Sequence, residues 1–152
     1  MMKKTVFIWL ILISFGACFL HAQVEPLATL EITFTGLRSN KGLIALGVHT
    51  TQDGWHKKPE MIPNWKKENV VNGSMTVRIE NLKYGTYAIT MLDDENGNLE
   101  MDHTMGIPRE GFGFSRNPRV RMSTPKYEEC AFVIDQPLKK ISIEVVYLGK
   151  GT

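Results

Sequence analysis

The strongest constraint on this chain is an alternation of apolar and polar residues with a period of two. Leu30, Ile32 and Phe34 share one side of a run, Glu31, Thr33 and Thr35 take the other, and Gly36 closes it. Successive side chains of a strand point to opposite faces, so such a run buries one face and wets the other. Met75, Val77 and Ile79 alternate in the same way with Thr76, Arg78 and Glu80. After Lys83-Tyr84-Gly85 the pattern resumes at Tyr87, Ile89 and Met91. Leu43 to Val48 is almost wholly apolar, as a buried strand can be. Two further strands are predicted at Tyr127 to Ile134 and Ile141 to Leu148, with Pro137 between them. In the last, Ile141, Ile143, Val145 and Tyr147 face inward, and Ser142 and Glu144 outward. The turn residues Arg38-Ser39-Asn40-Lys41-Gly42 predict a hairpin joining the first two runs. Nowhere do apolar residues recur at helical spacing over ten residues with caps, which disfavours a bundle or an alternating α/β fold. The expected class is all-β, an antiparallel Greek-key sandwich of about 6–8 strands.

The chain has 152 residues, room for about one domain. Its first segment follows a different rule. Lys3 and Lys4 precede an apolar run from Thr5 to Leu20 and then the small residue Ala22. That order predicts a secretory signal over residues 1–22, leaving one domain over 23–152 with its core at 28–149. The run is short for a membrane span. Lipidation at Cys18 is the minority alternative, because Phe15 stands where an aliphatic residue is usual. The formal charge of +2 comes from 18 Lys and Arg against 16 Asp and Glu, and Lys3 and Lys4 account for the surplus. The balanced remainder argues against a nucleic-acid binder driven by bulk charge. Removing the signal also leaves Cys130 as the sole thiol. It sits in the apolar run Cys130 to Ile134, where a buried inert thiol is expected.

Two stretches break the alternation. Thr50 to Gly73 is a long connection with one helical turn expected around Asn64 to Glu68. Asp93 to Pro125 holds most of the unusual chemistry, and long ordered loops are usually functional. Asp93, Asp94, Glu95, Glu100 and Asp102 crowd its start. Asp94, Asn96 and Asn98 are spaced by two, with Asp102 four further on. Oxygens at alternate positions of a tight loop can converge on a hard cation such as calcium, as in the first part of an EF-hand-type loop. These four residues are the candidate metal ligands. Leu99 stands where such loops place Gly, and Met105 stands where they place a closing Glu. Asp93, Glu95, Glu100 or Glu110 are the substitutes for that last ligand. The competing reading is that Asp94, Asn96 and Asn98 form Asx turns.

The loop continues as Gly106-Ile107-Pro108-Arg109-Glu110-Gly111-Phe112-Gly113-Phe114-Ser115. No helix follows the glycines, so this is not a phosphate-binding fingerprint. Ile107, Phe112 and Phe114 are expected to anchor a packed loop on the sandwich, or else to form an exposed aromatic platform for a sugar or peptide. Taken in order, Tyr84-Gly85-Thr86-Tyr87-Ala88-Ile89, Asp94-Glu95-Asn96-Gly97-Asn98, Asp102, this Gly106–Ser115 stretch and Pro125 to Phe132 resemble the exported bacterial family catalogued as domain of unknown function 2141. The resemblance runs from about Leu30 to Leu148. The strand entry at Gly85 also resembles transthyretin-like and carboxypeptidase-regulatory-like β-sandwiches. The resemblance implies an extracytoplasmic β-sandwich and assigns no catalytic residue. It marks Asp94, Asn96, Asn98, Asp102, Pro108, Glu110, Gly111 and Gly113 as signature positions. Family members generally carry Gly where this chain has Leu99.

His49, His56 and His103 form no close pair, so the usual zinc spacings are absent. No G-x-S-x-G nucleophile turn occurs either. Arg109, Arg116, Arg119, Arg121 and Lys126 follow the acidic stretch and are expected to pair with it, or else to meet an anionic ligand. The expected function is a non-enzymatic binding or structural module of the cell envelope, periplasmic, outer-surface or secreted. It would meet an envelope protein or polysaccharide through residues 93–125, with calcium ordering that loop. The alternative is a small hydrolase acting on an envelope polymer through His103 or Glu110, with Ser115 close in sequence.

Overall fold

The computed structural model describes residues 25–148 except 56, 58, 121 and 122. The expected signal segment and Cys18 lie outside the described residues. Among the described residues ten strands and one helical turn follow in order: β1 (Leu27–Thr35), β2 (Leu43–His49), β3 (Asn64–Lys66), β4 (Met75–Lys83), β5 (Gly85–Asp94), β6 (His103–Thr104), β7 (Ile107–Pro108), β8 (Gly111–Phe114), α1 (Tyr127–Cys130), β9 (Phe132–Ile134) and β10 (Leu138–Glu144). One sheet has the order β10-β1-β4 and a second has β3-β2-β5-β8, with β9 on the first residues of β5. Leu30, Ile32, Phe34, Val77 and Ile143 of the first sheet meet Ile44, Leu46, Val48, Ile89 and Ile134 of the second in a single core. The all-β sandwich expected from the alternation is therefore the observed architecture. One pair, β1 with β10, is parallel.

The outer face of the first sheet carries the polar half of the alternation. Glu31 lies opposite Arg78 on one side and Lys140 on the other, and it bonds both, at 2.7 and 2.9 Å. The second sheet is buried on both faces. Behind it Trp55, Ala88, Phe114 and Cys130 form a smaller core under the long connections. That is why β2 is apolar almost throughout. The strand beyond β10 leaves the first sheet and bonds to β8, Val146 N–H to the Phe112 carbonyl at 2.8 Å and the reverse at 3.0 Å. One side of the sandwich is stitched shut by this crossing.

Four sequence expectations are corrected. The hairpin of β1 with β2 does not form. Each strand has one strongly apolar face, and both faces are buried by placing the strands in opposite sheets, so residues 36–42 cross between layers. The helical turn expected at Asn64 to Glu68 is the edge strand β3, which pairs with Leu43–Ala45 of β2. The strand expected from Tyr127 begins instead with α1, where Lys126 N–H donates to Glu129 Oε2 at 2.8 Å, half of a capping box. Residues 93–125 also hold strands, since the Gly111–Phe114 run is β8, paired with β5.

Candidate functional site

The loop that follows β5 is built on two buried carboxylates. Asp94, at the end of β5, is fully buried and accepts three backbone N–H bonds: from Gly97 at 2.7 Å, Asn98 at 3.2 Å and Leu99 at 2.8 Å. Those bonds wrap the chain around its side chain. Leu99 adopts φ +62°, the left-handed conformation a glycine would take without strain. The missing glycine therefore does not prevent the sharp turn. The Leu99 N–H bond to a carboxylate offsets the strain. Glu110 closes the other end. It is buried and accepts Glu95 N–H at 3.0 Å and Asp102 N–H at 3.2 Å. Burial, then the nearby charges of Asp94 and Asp102, push its carboxyl above the ordinary range against those two hydrogen bonds.

Between these clamps the remaining candidate ligands do converge. Asn96 Nδ2 donates to Asp102 Oδ2 at 2.6 Å, and Asn98 Nδ2 reaches Asp102 Oδ1 at 3.4 Å. Asn96 and Asn98 also make the Asx turns, accepting Asn98 N–H at 3.0 Å and Glu100 N–H at 2.8 Å. The Asx-turn reading of the spacing is therefore the one these hydrogen bonds show. Among the described residues no three His, Cys, Asp or Glu side chains cluster as a metal centre. Asp94 and Asp102 are the only carboxylates of the candidate ligand set, and amide oxygens complete it.

The proposed substitutes for the closing ligand are engaged elsewhere. Glu95 takes a forked pair of bonds from Arg38, Nη2 at 2.6 Å and Nε at 3.1 Å, and a third from Ser39 at 2.8 Å. The Arg38 guanidinium holds the Glu95 carboxyl down to about 2. Asp93 is fully buried and bonds Lys67 and Tyr147. The bases that follow the acidic stretch do not pair with it among the described residues; its partners are the upstream Arg38 and Lys67. Arg116 instead donates to the Glu128 and Ala131 carbonyls, both at 3.1 Å.

The signature glycines have a packing role. A Cβ on Gly111 would meet the Tyr147 ring at 2.4 Å, and one on Gly113 would meet Ile143 Cγ2 at 2.6 Å and the Glu144 carbonyl at 2.8 Å. The C-terminal strand lies directly on β8, and only glycine leaves space for it. Pro108 sits in the β6–β7 hairpin opposite His103. Met105 and Gly106 both have positive φ at its tip, as a tight hairpin turn requires. Beside this hairpin is a groove of about 570 Å³ lined by His103, Ile107, Phe112, Phe114, Thr124 and Leu148 among others. Phe114 is buried and Phe112 half-buried, whereas Ile107 is 52 % exposed and does not anchor the loop.

A model of the bacterial family described as "Uncharacterized protein conserved in bacteria (DUF2141)" matches residues 32–142. The chain belongs to this family. The match runs from the middle of β1 through most of β10 and takes in the whole of the Asp94–Ser115 loop, so the clamp residues of this DUF2141 protein fall inside it. No curated protein and no solved structure shows a match to the chain.

The hydrolase residues do not assemble in the DUF2141 chain. Ser115 is buried, donates to the Cys130 carbonyl at 2.7 Å and accepts Ile89 N–H at 2.9 Å. His103 is exposed, and both Glu110 oxygens face backbone N–H groups. No hydrogen bond joins the three among the described residues. Cys130 is buried and free, with burial pushing its thiol up to about 11, as expected of an inert core cysteine. The constellation that the sequence reading missed is Lys67, Asp93 and Tyr147. Its members lie far apart in the chain, and its only sequence trace is the inward place of Tyr147 in the last alternation.

Proposed function

We propose that this DUF2141 protein is an exported, non-enzymatic binding module of the cell envelope, and that calcium orders its 93–125 loop. The observation that carries the reading is the convergence of Asn96 and Asn98 on Asp102 beside the Asp94 cradle. A calcium ion there would replace the two amide contacts, with Asp94, Asn96, Asn98 and Asp102 offering oxygens that suit a hard cation. The protein supplies few charges to such a site, so calcium affinity belongs in the weak, extracellular range. The mostly apolar groove beside the β6–β7 hairpin, within the usual size range for ligand sites, is the surface offered to an envelope polysaccharide or protein segment. No helix among the described residues is long and apolar enough to cross a bilayer.

Calorimetric titration with calcium tests the metal claim. Heat and a higher Tm are expected for the wild type, and both are expected to vanish in Asp102→Asn, which keeps the side-chain shape. No heat and no shift in the wild type remove calcium from the account. The groove is tested separately with a panel of envelope glycans and peptides against Phe112→Ala. Binding that survives this substitution places the contact elsewhere.

A further inference from the structure

The pair Lys67 and Asp93 has no role in the loop or the groove, and its surroundings are unusual. Both side chains are completely shielded from solvent. Lys67 Nζ donates to Asp93 Oδ1, and this is its one side-chain bond among the described residues. An ammonium has three protons to place, so the site buries a charge with one acceptor, an expensive arrangement. The other Asp93 oxygen, Oδ2, accepts the hydroxyl of Tyr147. Tyr147 is itself held. Arg38 N–H donates to its phenol oxygen at 3.2 Å, and the Arg38 guanidinium lies over its ring at 4.5 Å. Both contacts draw electron density from the phenol and strengthen it as a donor. An amine, a carboxyl group and a hydrogen-bond donor on the far carboxyl oxygen thus meet in a dry site.

We propose that Lys67 and Asp93 become joined by an isopeptide bond in the folded protein. Passing one proton along the existing hydrogen bond turns the ion pair into a neutral amine and a carboxylic acid protonated on Oδ1. Nζ then attacks Cγ, and the negative charge that develops on Oδ2 is met by the Tyr147 hydroxyl, as in an oxyanion hole. A proton moves from Nζ to the Oδ1 hydroxyl, the Cγ–Oδ1 bond breaks and one water leaves. Nζ–Cγ is the bond formed, Tyr147 ends unchanged, and no oxidant or cofactor is consumed. The product is a neutral amide with a single N–H, which replaces an ammonium short of acceptors. Burial supplies proximity and excludes the water that would reverse the reaction. Lys67 follows the edge strand β3 and Asp93 lies on β5, so the bond spans β2 and encloses β4 in a covalent loop. It would give the sandwich a cross-link that Cys130, the free cysteine of the described residues, does not provide.

Intact-mass spectrometry of the purified, denatured full chain tests this, with peptide mapping after proteolysis. The wild type is expected to weigh one water less than its sequence and to yield a branched peptide joining Lys67 to Asp93. Lys67→Arg, which keeps a cation but lacks the attacking amine, is expected to show the full sequence mass. Tyr147→Phe is expected to close the bond more slowly, so that freshly folded protein holds both forms. Full mass in aged wild type, with the two peptides recovered unlinked, overturns the proposal. A missing water that maps to an imide at Asp53-Gly54 overturns it equally.

Discussion

At the scale of single residues, two side chains bear conformational or electrostatic loads that can be measured. Leu99 is held at φ +62° while its side chain is half exposed. Replacing it by glycine removes a left-handed penalty and loses little burial, so Leu99→Gly should stabilise the fold by about 1 kcal/mol in urea unfolding. A lower midpoint would show that the leucine packs more than it strains. Glu95 is paired with Arg38, and its carboxyl is lowered from 4.5 to about 2. A depressed carboxylate contributes stability above its unfolded value, and that contribution is lost as pH falls from 4.5 towards 2. The pair is partly exposed, so after solvent screening Arg38→Met should cost only about 1 kcal/mol at pH 7. The cost should shrink as the pH drops through that window; a cost independent of pH would assign it to lost stacking on Tyr147. Glu110 is different in kind, because both its oxygens accept buried backbone N–H bonds. Glu110→Gln turns one acceptor into a donor facing a donor, and the expected loss is about 1–3 kcal/mol by thermal unfolding.

At the scale of elements, the close approach of β10 and its extension to β8 depends on glycine. Gly113→Ala places a Cβ 2.8 Å from the Glu144 carbonyl, a backbone atom that cannot swing aside. Overpacking of this kind should cost about 1–3 kcal/mol, read as a fall in the denaturation midpoint. The elements themselves were largely legible in the sequence. β1, β4 and β5 announce themselves by alternation, and β2 by its unbroken apolar run; β10 shows it only in part, since the strand expected over Ile141 to Leu148 is Leu138–Glu144 and ends where the chain turns to bond β8. Their partners were not legible, because a period of two says which face is buried and nothing about which strand lies alongside. The turn residues after β1 therefore suggested a hairpin where the chain changes layers. The short elements β3 and α1 are decided by pairing with β2 and by the Lys126–Glu129 cap, both weaker signals than periodicity. For the site, the Asp94, Asn96, Asn98 and Asp102 spacing is local and could be read. The Lys67–Asp93–Tyr147 cluster is assembled by the fold from distant positions and could not.

At the scale of the whole molecule, two sheets close on one core, and a second core backs the β2–β5 sheet. Cys130 lies in that second core, fully buried. Its thiol should resist a disulfide-forming reagent at neutral pH and react only on global unfolding, with a rate that follows urea concentration. Prompt reaction in native buffer would mean that the outer layer opens independently of the main core. The Asp94–Glu110 loop sits on this frame with both its ends pinned by buried carboxylates. On the proposed reading, calcium displaces the two amide contacts on Asp102 and takes oxygens of Asp94, Asn96, Asn98 and Asp102 in their place. A crystal structure of the protein grown with calcium tests that claim most directly. The predicted result is density among Asp94, Asn96, Asn98 and Asp102, with metal–oxygen distances of about 2.3–2.6 Å. Contradiction would be an ion-free loop in which Asn96 and Asn98 still donate their amides to Asp102.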